Sequence, residues 1–380
     1  MRYIDEFRSP KLARQLSDDI KVLSEGILSK RKSSKRKNLQ NNKPIRLMEF
    51  CGGHTHTIFR YGIEQLLPPG IEMVHGPGCP VCVLPMAAVD TCVALANKPN
   101  VILTTFGDAM RVPGTEMSLQ TAKSQGADIR MVYSPLDALS LAKKNPDKEI
   151  IFFALGFETT MPSTALTVQA AQQQDINNFS LFCNHITTLP TIQTVLDDPD
   201  MQLDGMVAPG HVSMVVGKEP FDTLLARYQL PIVITGFEPI DILHSIKLLL
   251  EQLTQAEAKV INQYRRVVKN TGNEQARRAM QAVFKTANAQ EWRGLGEIPN
   301  SGVVIRSAYQ NYDALHKFDL PDLLPPNRDP LHCAQVIKGQ IKPCECPNYG
   351  TSCTPEQPLG ALMVSSEGAC AAYQKYSISS

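Results

Sequence analysis

One pattern constrains this chain more than any other. Short apolar runs stop at glycine-rich or polar loops, and a stretch with helical character follows each. Ile45–Phe50 runs into Cys51-Gly52-Gly53, and Val101–Thr105 into Phe106-Gly107-Asp108. Ile129–Tyr133 precedes a Ser134-Pro135 helix start, Ile150–Leu155 runs into Gly156-Phe157-Glu158, and Ile232–Thr235 into Gly236-Phe237-Glu238. Strand, loop and helix in alternation predict parallel α/β sheets, since parallel strands need a long crossover and a helix supplies it. The loops at the carboxyl ends of such strands build the site. Nearly every unusual residue of this chain falls in one.

The chain also aligns with itself. At an offset of 132 residues, Phe50-Cys51 falls on Phe182-Cys183, Thr55 on Thr187, Pro77-Gly78 on Pro209-Gly210 and Val101-Ile102 on Val233-Ile234. We read two similar α/β domains facing a cleft, at 44–145 and 146–250. Residues 1–43 are expected to be a helix over 5–29 and a basic linker, in which Lys30–Lys37 carries six positive charges in eight residues. Residues 251–380 are expected to be helical over 251–285 and then rich in loops.

Composition narrows the function classes. Lys and Arg number 38 against 37 Asp and Glu, so no global field favours nucleic acid or an anionic membrane. No apolar run approaches a membrane span, and the first residues lack the apolar core of a signal peptide. A cytoplasmic location is expected, and with it a reducing environment in which ten cysteines call for metal or redox work rather than structural disulfides.

Those cysteines form three groups. Cys333, Cys344, Cys346, Cys353 and Cys370 crowd a C-terminal segment with little apolar core, which calls for a metal staple. Their wide spacing suits an iron–sulfur cluster at least as well as zinc, and five is one too many for either. Gly76-Pro77-Gly78-Cys79-Pro80-Val81-Cys82 is a C-x-x-C expected to open a helix, whose N-terminus would favour the thiolate. In Cys51-Gly52-Gly53-His54-Thr55-His56, a tight turn brings a thiolate and an imidazole within reach of one metal. Asp108 and Arg111 share one loop and could pair with each other. Glu158, Cys183-Asn184-His185 and His211 occupy similar loops further on. There is no P-loop and no nucleophile elbow.

Taken together, Met48–His56, Gly76–Pro85, Thr105–Gly114, Gly156–Thr160, Pro209–Ser213, Gly236–Pro239 and Met363–Cys370 resemble the HypD family of hydrogenase maturation factors over essentially the whole chain. The resemblance implies two α/β domains and a C-terminal region carrying a [4Fe-4S] cluster. It implies assembly of the Fe(CN)2CO unit of nickel–iron hydrogenase, in complex with a HypC-type chaperone and with cyanide from HypE and HypF. Carried over, Cys51 and His54 correspond to ligands of the nascent iron(II), and Cys79 and Cys82 to a redox-active pair. Cys333, Cys346, Cys353 and Cys370 correspond to the cluster ligands. Cys346 is preferred to Cys344 because Cys346-Pro347-Asn348-Tyr349-Gly350 fits the family pattern. The Lys30–Lys43 stretch is longer and more charged than the family usually carries.

These assignments yield an expected electron path from cluster to thiol pair to iron, with Asp108, Arg111, Glu158 and His211 lining the cleft. A stand-alone iron–sulfur thiol–disulfide oxidoreductase would use the same pair and cluster without a partner protein. A zinc scaffold would use the C-terminal cysteines for shape alone.

Overall fold

The five apolar runs become strands, and four further strands join them in two separate sheets. In a computed structural model, which describes residues 5–33, 43–318 and 332–376, they are β1 (Ile45–Glu49), β2 (Ile71–His75), β3 (Val101–Thr105), β4 (Ile129–Met131), β5 (Glu149–Gly156), β6 (Phe179–His185), β7 (Gly205–Pro209), β8 (Ile232–Thr235) and β9 (Val260–Asn262). The first sheet runs β2-β1-β7-β8-β9 and the second β4-β3-β5-β6. Every pairing in both is parallel.

Parallel sheets are covered on both faces, so their strands are apolar throughout. β5 shows it residue by residue. Ile151, Phe153 and Leu155 enter one core with Leu103 and Phe182. Ile150, Phe152 and Ala154 enter another, with Ala165 and Val168 of the helix Met161–Gln173. The first sheet divides likewise. Leu47, Val207 and Val233 pack under the helices Pro10–Ser33 and Pro239–Gln255, and Met48, Met206 and Ile234 face the opposite side. The Ser134-Pro135 signal starts a helix at Pro135 with a full capping box to Asp137.

The strand order cuts across the expected division at residue 145. β3 and β4, from 44–145, pair with β5, while β1 and β2 join β7–β9. One unit is therefore built from two separated pieces of chain, with the other inserted between them. Nor does the offset of 132 reproduce an arrangement. It aligns β1 with β6, but β1 lies inside its sheet between β2 and β7 whereas β6 is an edge. Residues 251–285 are not one helix. Ala256, at φ 54°, ends the helix Pro239–Gln255 in a left-handed residue, β9 then adds to the first sheet, and a new helix spans Glu274–Val283. β10 (Phe284–Thr286) pairs with β13 (Val303–Ile305), and β11 (Ala289–Trp292) with β12 (Gly296–Pro299), as two antiparallel ribbons. Of the basic run, Lys30–Lys32 form the last turn of the N-terminal helix, where cations suit the dipole. Residues 34–42 lie outside the described residues.

Candidate functional site

The carboxyl ends of both sheets face one cleft of about 520 Å³, lined among others by Cys51, Asp108, Thr160, His211 and Glu367. Cys51 follows β1 and is the N-cap of the helix Gly52–Arg60. Its backbone N–H donates to Glu49 Oε2 at 2.8 Å, and the Gly52 N–H donates to the Gly78 carbonyl at 3.0 Å. A Cβ on Gly78 would lie 2.3 Å from the Cys51 nitrogen, so only glycine lets the Gly76–Cys82 loop press against Cys51. Burial, then the Glu367 and Glu49 carboxylates, push the Cys51 thiol up, while the Gly53 and His54 backbone N–H groups act the other way. A thiolate here therefore needs a cation beside it.

Glu49 is fully buried and serves three groups. Besides the Cys51 N–H it accepts the Thr55 hydroxyl and lies 2.9 Å from His75 Nδ1. Burial works against a charged His75, but its contacts with Glu49 and Glu64 outweigh that and raise it to about 9. A buried ion pair thus braces the turn that carries Cys51.

His54 sits behind the cleft. Its Nε2 lies 3.2 Å from the Thr235 carbonyl and its ring stacks on Phe237, with centroids 4.7 Å apart. Burial lowers it to about 4, so it is neutral at pH 7. With the proton on Nε2 toward the carbonyl, Nδ1 is a bare lone pair, buried and without a hydrogen-bond partner. His211 stacks on the same Phe237 ring at 3.7 Å and faces the cleft.

Cys79 and Cys82 are 4% and 3% exposed and line a small second cavity with His75, Glu367 and Gly368. They do not open a helix as expected. The next helix starts only at Met86, after Pro85. Cys79 Sγ instead accepts the Cys82 backbone N–H at 3.3 Å, and burial drives the Cys82 thiol up, with Cys79, Glu367 and Cys370 adding to it.

Beyond that pair, Cys333, Cys346, Cys353 and Cys370 line a third cavity with Val336, Leu362 and Met363. Cys344 is exposed and does not line it. Burial, and then the neighbouring Cys333, Cys353 and Cys346, push the Cys370 thiol up. Among the described residues, no three His, Cys, Asp or Glu side chains close on a point as one metal ion requires.

Of the four residues expected in the cleft, Asp108 and His211 line it and two do not. Arg111 donates to the Val364 and Pro355 carbonyls, fastening the C-terminal segment, while Asp108 accepts the Ser365 hydroxyl at 2.9 Å. They make no pair with each other. Glu158 is buried and accepts the backbone N–H and hydroxyl of Thr188 at 2.9 and 2.8 Å, at the start of the helix Thr188–Leu196. Glu49, Phe237 and Glu367 are the residues that sequence reasoning passed over, although each lies inside or beside a motif already singled out.

Among the described residues, no helix is long and apolar enough to cross a membrane. The HypD family, described as "Hydrogenase formation hypA family", matches residues 27–377. The hydrogenase maturation factor HypD of Rhodobacter capsulatus is 52% identical over 99% of this chain and 98% of its own length. That of Escherichia coli K12 is 48% identical over the same shares. HypD2 of Bradyrhizobium diazoefficiens is 44% identical over 99% of this chain and 97% of its own. With a family match over nearly the full chain and relatives this similar from end to end, the chain belongs to the HypD family of hydrogenase maturation factors.

Proposed function

We propose that the chain is the cytoplasmic scaffold on which the Fe(CN)2CO unit of nickel–iron hydrogenase is assembled, held in complex with a HypC-type chaperone and supplied with cyanide by HypE and HypF. The observation that carries this reading is a succession of thiols. Cys51 faces the cleft, the Cys79/Cys82 pair lines the cavity beside it, and Cys370 lines the next.

Iron is cargo in this reading, and Cys51 with His54 would hold it. A neutral imidazole with a free Nδ1 is a ready ligand, and a thiol that burial keeps protonated ionises when a ferrous ion arrives. Cys333, Cys346, Cys353 and Cys370 would hold a [4Fe-4S] cluster, which when bound supplies single electrons. The fit rests on the donor set: four thiols ring one apolar cavity without converging on a point. That suits a polynuclear cluster, with one thiolate to each iron, over a single zinc. Four thiolates in such a cavity also need the positive charge of a metal centre to stay ionised.

The remaining residues position and exclude. Glu49 and His75 fix the turn at Cys51. Arg111 fastens the segment that carries Ser365 and Glu367 across the cleft. Phe50, Phe106, Leu155 and Phe157 give the cleft apolar walls that keep water from the ligands being placed. The stand-alone oxidoreductase is disfavoured by the burial of Cys79 and Cys82, which a disulfide substrate would have to reach.

Infrared spectroscopy of the chain purified without oxygen alongside its chaperone tests the proposal. Cyanide and carbonyl stretching bands, lost in Cys51→Ala, are expected. Their absence from a preparation with an intact cluster would overturn it.

A further inference from the structure

One carboxylate lines two of the three cavities. Glu367, between the helical turn Ala361–Met363 and the helix Ala369–Tyr376, borders both the cleft that holds Cys51 and the cavity that holds Cys79 and Cys82. On one side it packs against the start of the Cys51 helix. A Cβ on Gly52 would fall 2.5 Å from Glu367 Cβ and 2.8 Å from its Oε2. On the other side its neighbour Gly368 lies against the thiol pair, where an added Cβ would be 3.0 Å from Cys82 Sγ. The backbone N–H of Glu367 donates to Ser365 Oγ at 3.3 Å, and no described residue hydrogen-bonds its carboxylate.

The thiol pair is asymmetric. Cys79 Sγ accepts the Cys82 backbone N–H at 3.3 Å. Cys82 has no such donor, and burial holds its proton in place. If Cys79 is the sulfur that reacts first, Cys82 must lose a proton inside a cavity of about 10 Å³ before it can close the disulfide. Of the groups that face Glu367, Asp108 after β3 and Glu49 on β1 are carboxylates, and burial together with these two raises the Glu367 carboxyl, which makes its carboxylate a stronger base than an exposed one. Cys51 and Cys82 are the thiols that feel its charge.

We infer that Glu367 is the proton acceptor for Cys82 when the Cys79/Cys82 pair closes to a disulfide. This rests on the reading of that pair as redox-active. With a peroxide as the two-electron oxidant, the Cys79 thiolate attacks one oxygen, becomes a sulfenic acid and releases hydroxide, which its lost proton converts to water. Cys82 then gives its proton to Glu367 and its sulfur attacks Cys79 Sγ. The S–S bond forms, hydroxide leaves, and the proton held on Glu367 turns it into a second water. One peroxide is consumed for two thiols.

The test adds one equivalent of hydrogen peroxide to the reduced full-length chain under anaerobic conditions. Cys79 sulfenic acid and the Cys79–Cys82 disulfide are followed by acid quench, a sulfenic-acid trap and peptide mass spectrometry. Glu367→Gln keeps the shape and removes the base. Closure is expected to slow at least about 100-fold, with sulfenic acid accumulating on Cys79. Glu367→Asp, which keeps an acid one methylene further away, should slow it less. Closure in Glu367→Gln as fast as wild type, or faster, overturns the inference, since losing a negative charge alone would favour the Cys82 thiolate. If the amide variant fails to fold, Glu367→Asp decides, and an unchanged closure rate there overturns it. A wild-type chain in which Cys79 and Cys82 never cross-link overturns the thiol-pair reading itself, and this inference with it.

Discussion

The two parallel sheets turn the same kind of edge toward the cleft and use it differently. After β1 and β7 the chain leaves groups open: the Cys51 thiol at a helix start, the bare Nδ1 of His54 and the ring of His211 in the cleft. After β5 and at the end of β6 every comparable group is occupied. Glu158 takes both donors of Thr188. His185 has Gly156 O at 3.2 Å and Thr164 Oγ1 at 3.1 Å, and the Cys183 thiol meets the Val303 carbonyl at 3.4 Å. A strand-end position in an α/β sheet makes a residue a candidate. Its hydrogen-bond partners decide whether it builds the fold or remains available for chemistry.

That contrast can be broken by experiment. The largest effect is expected where the sheets are compared directly. Cys51→Ala should lower hydrogenase activity at least about 100-fold in cells that depend on this chain for maturation, while Cys183→Ala should leave it within about twofold. Equal losses in the two variants would mean that the open and occupied strand ends do not differ in function.

The C-terminal loops carry the same contrast within one segment. Cys353→Ala should strip most of the iron and the broad absorbance near ~400 nm from anaerobically purified chain, whereas Cys344→Ala should keep both. Iron analysis and an absorption spectrum check this.

Next in size is the brace beneath Cys51. His75 is raised to about 9 from an ordinary value near 6.5. Its stabilisation is therefore fully present below pH 6.5 and lost as pH rises through about 9. At about 1.36 kcal/mol per unit, denaturant unfolding should show a loss of roughly 3 kcal/mol from this group between those limits. His75→Gln should flatten that stretch of the profile.

Smallest is Glu158→Ala. It leaves a buried N–H and hydroxyl of Thr188 without their acceptor, and should cost about 1–3 kcal/mol in denaturant unfolding. Maturation in the folded fraction should be unaffected, because Glu158 does not line the cleft.

The strands and their carboxyl-end loops were legible because strands buried on both faces read as unbroken apolar runs, and because Ser134-Pro135 carries its capping chemistry locally. Strand order was not. β1 and β7 pair although they are far apart in the chain, and no local pattern records which strand a given one will choose. The cysteine groups stood out by residue type and spacing, whereas the cleft polars looked alike. Asp108, Arg111 and Glu158 each follow a strand and a glycine loop. Arg111 is claimed by a carbonyl 253 residues away, which only the tertiary fold reveals. Glu49 and Glu367 were passed over for the converse reason. Each stands within three residues of a cysteine already singled out, and a carboxylate that braces a thiol carries no spacing signature of its own.

The central claim is that two separate iron-binding places exist in this chain, one at Cys51 and one at the four C-terminal cysteines. Mössbauer spectroscopy of the iron-labelled complex with its chaperone tests it most directly. The account predicts a low-spin ferrous doublet beside the cluster signal in the wild type, and the cluster signal alone in Cys51→Ala. A ferrous doublet that survives in Cys51→Ala, or that disappears together with the cluster signal, would contradict it.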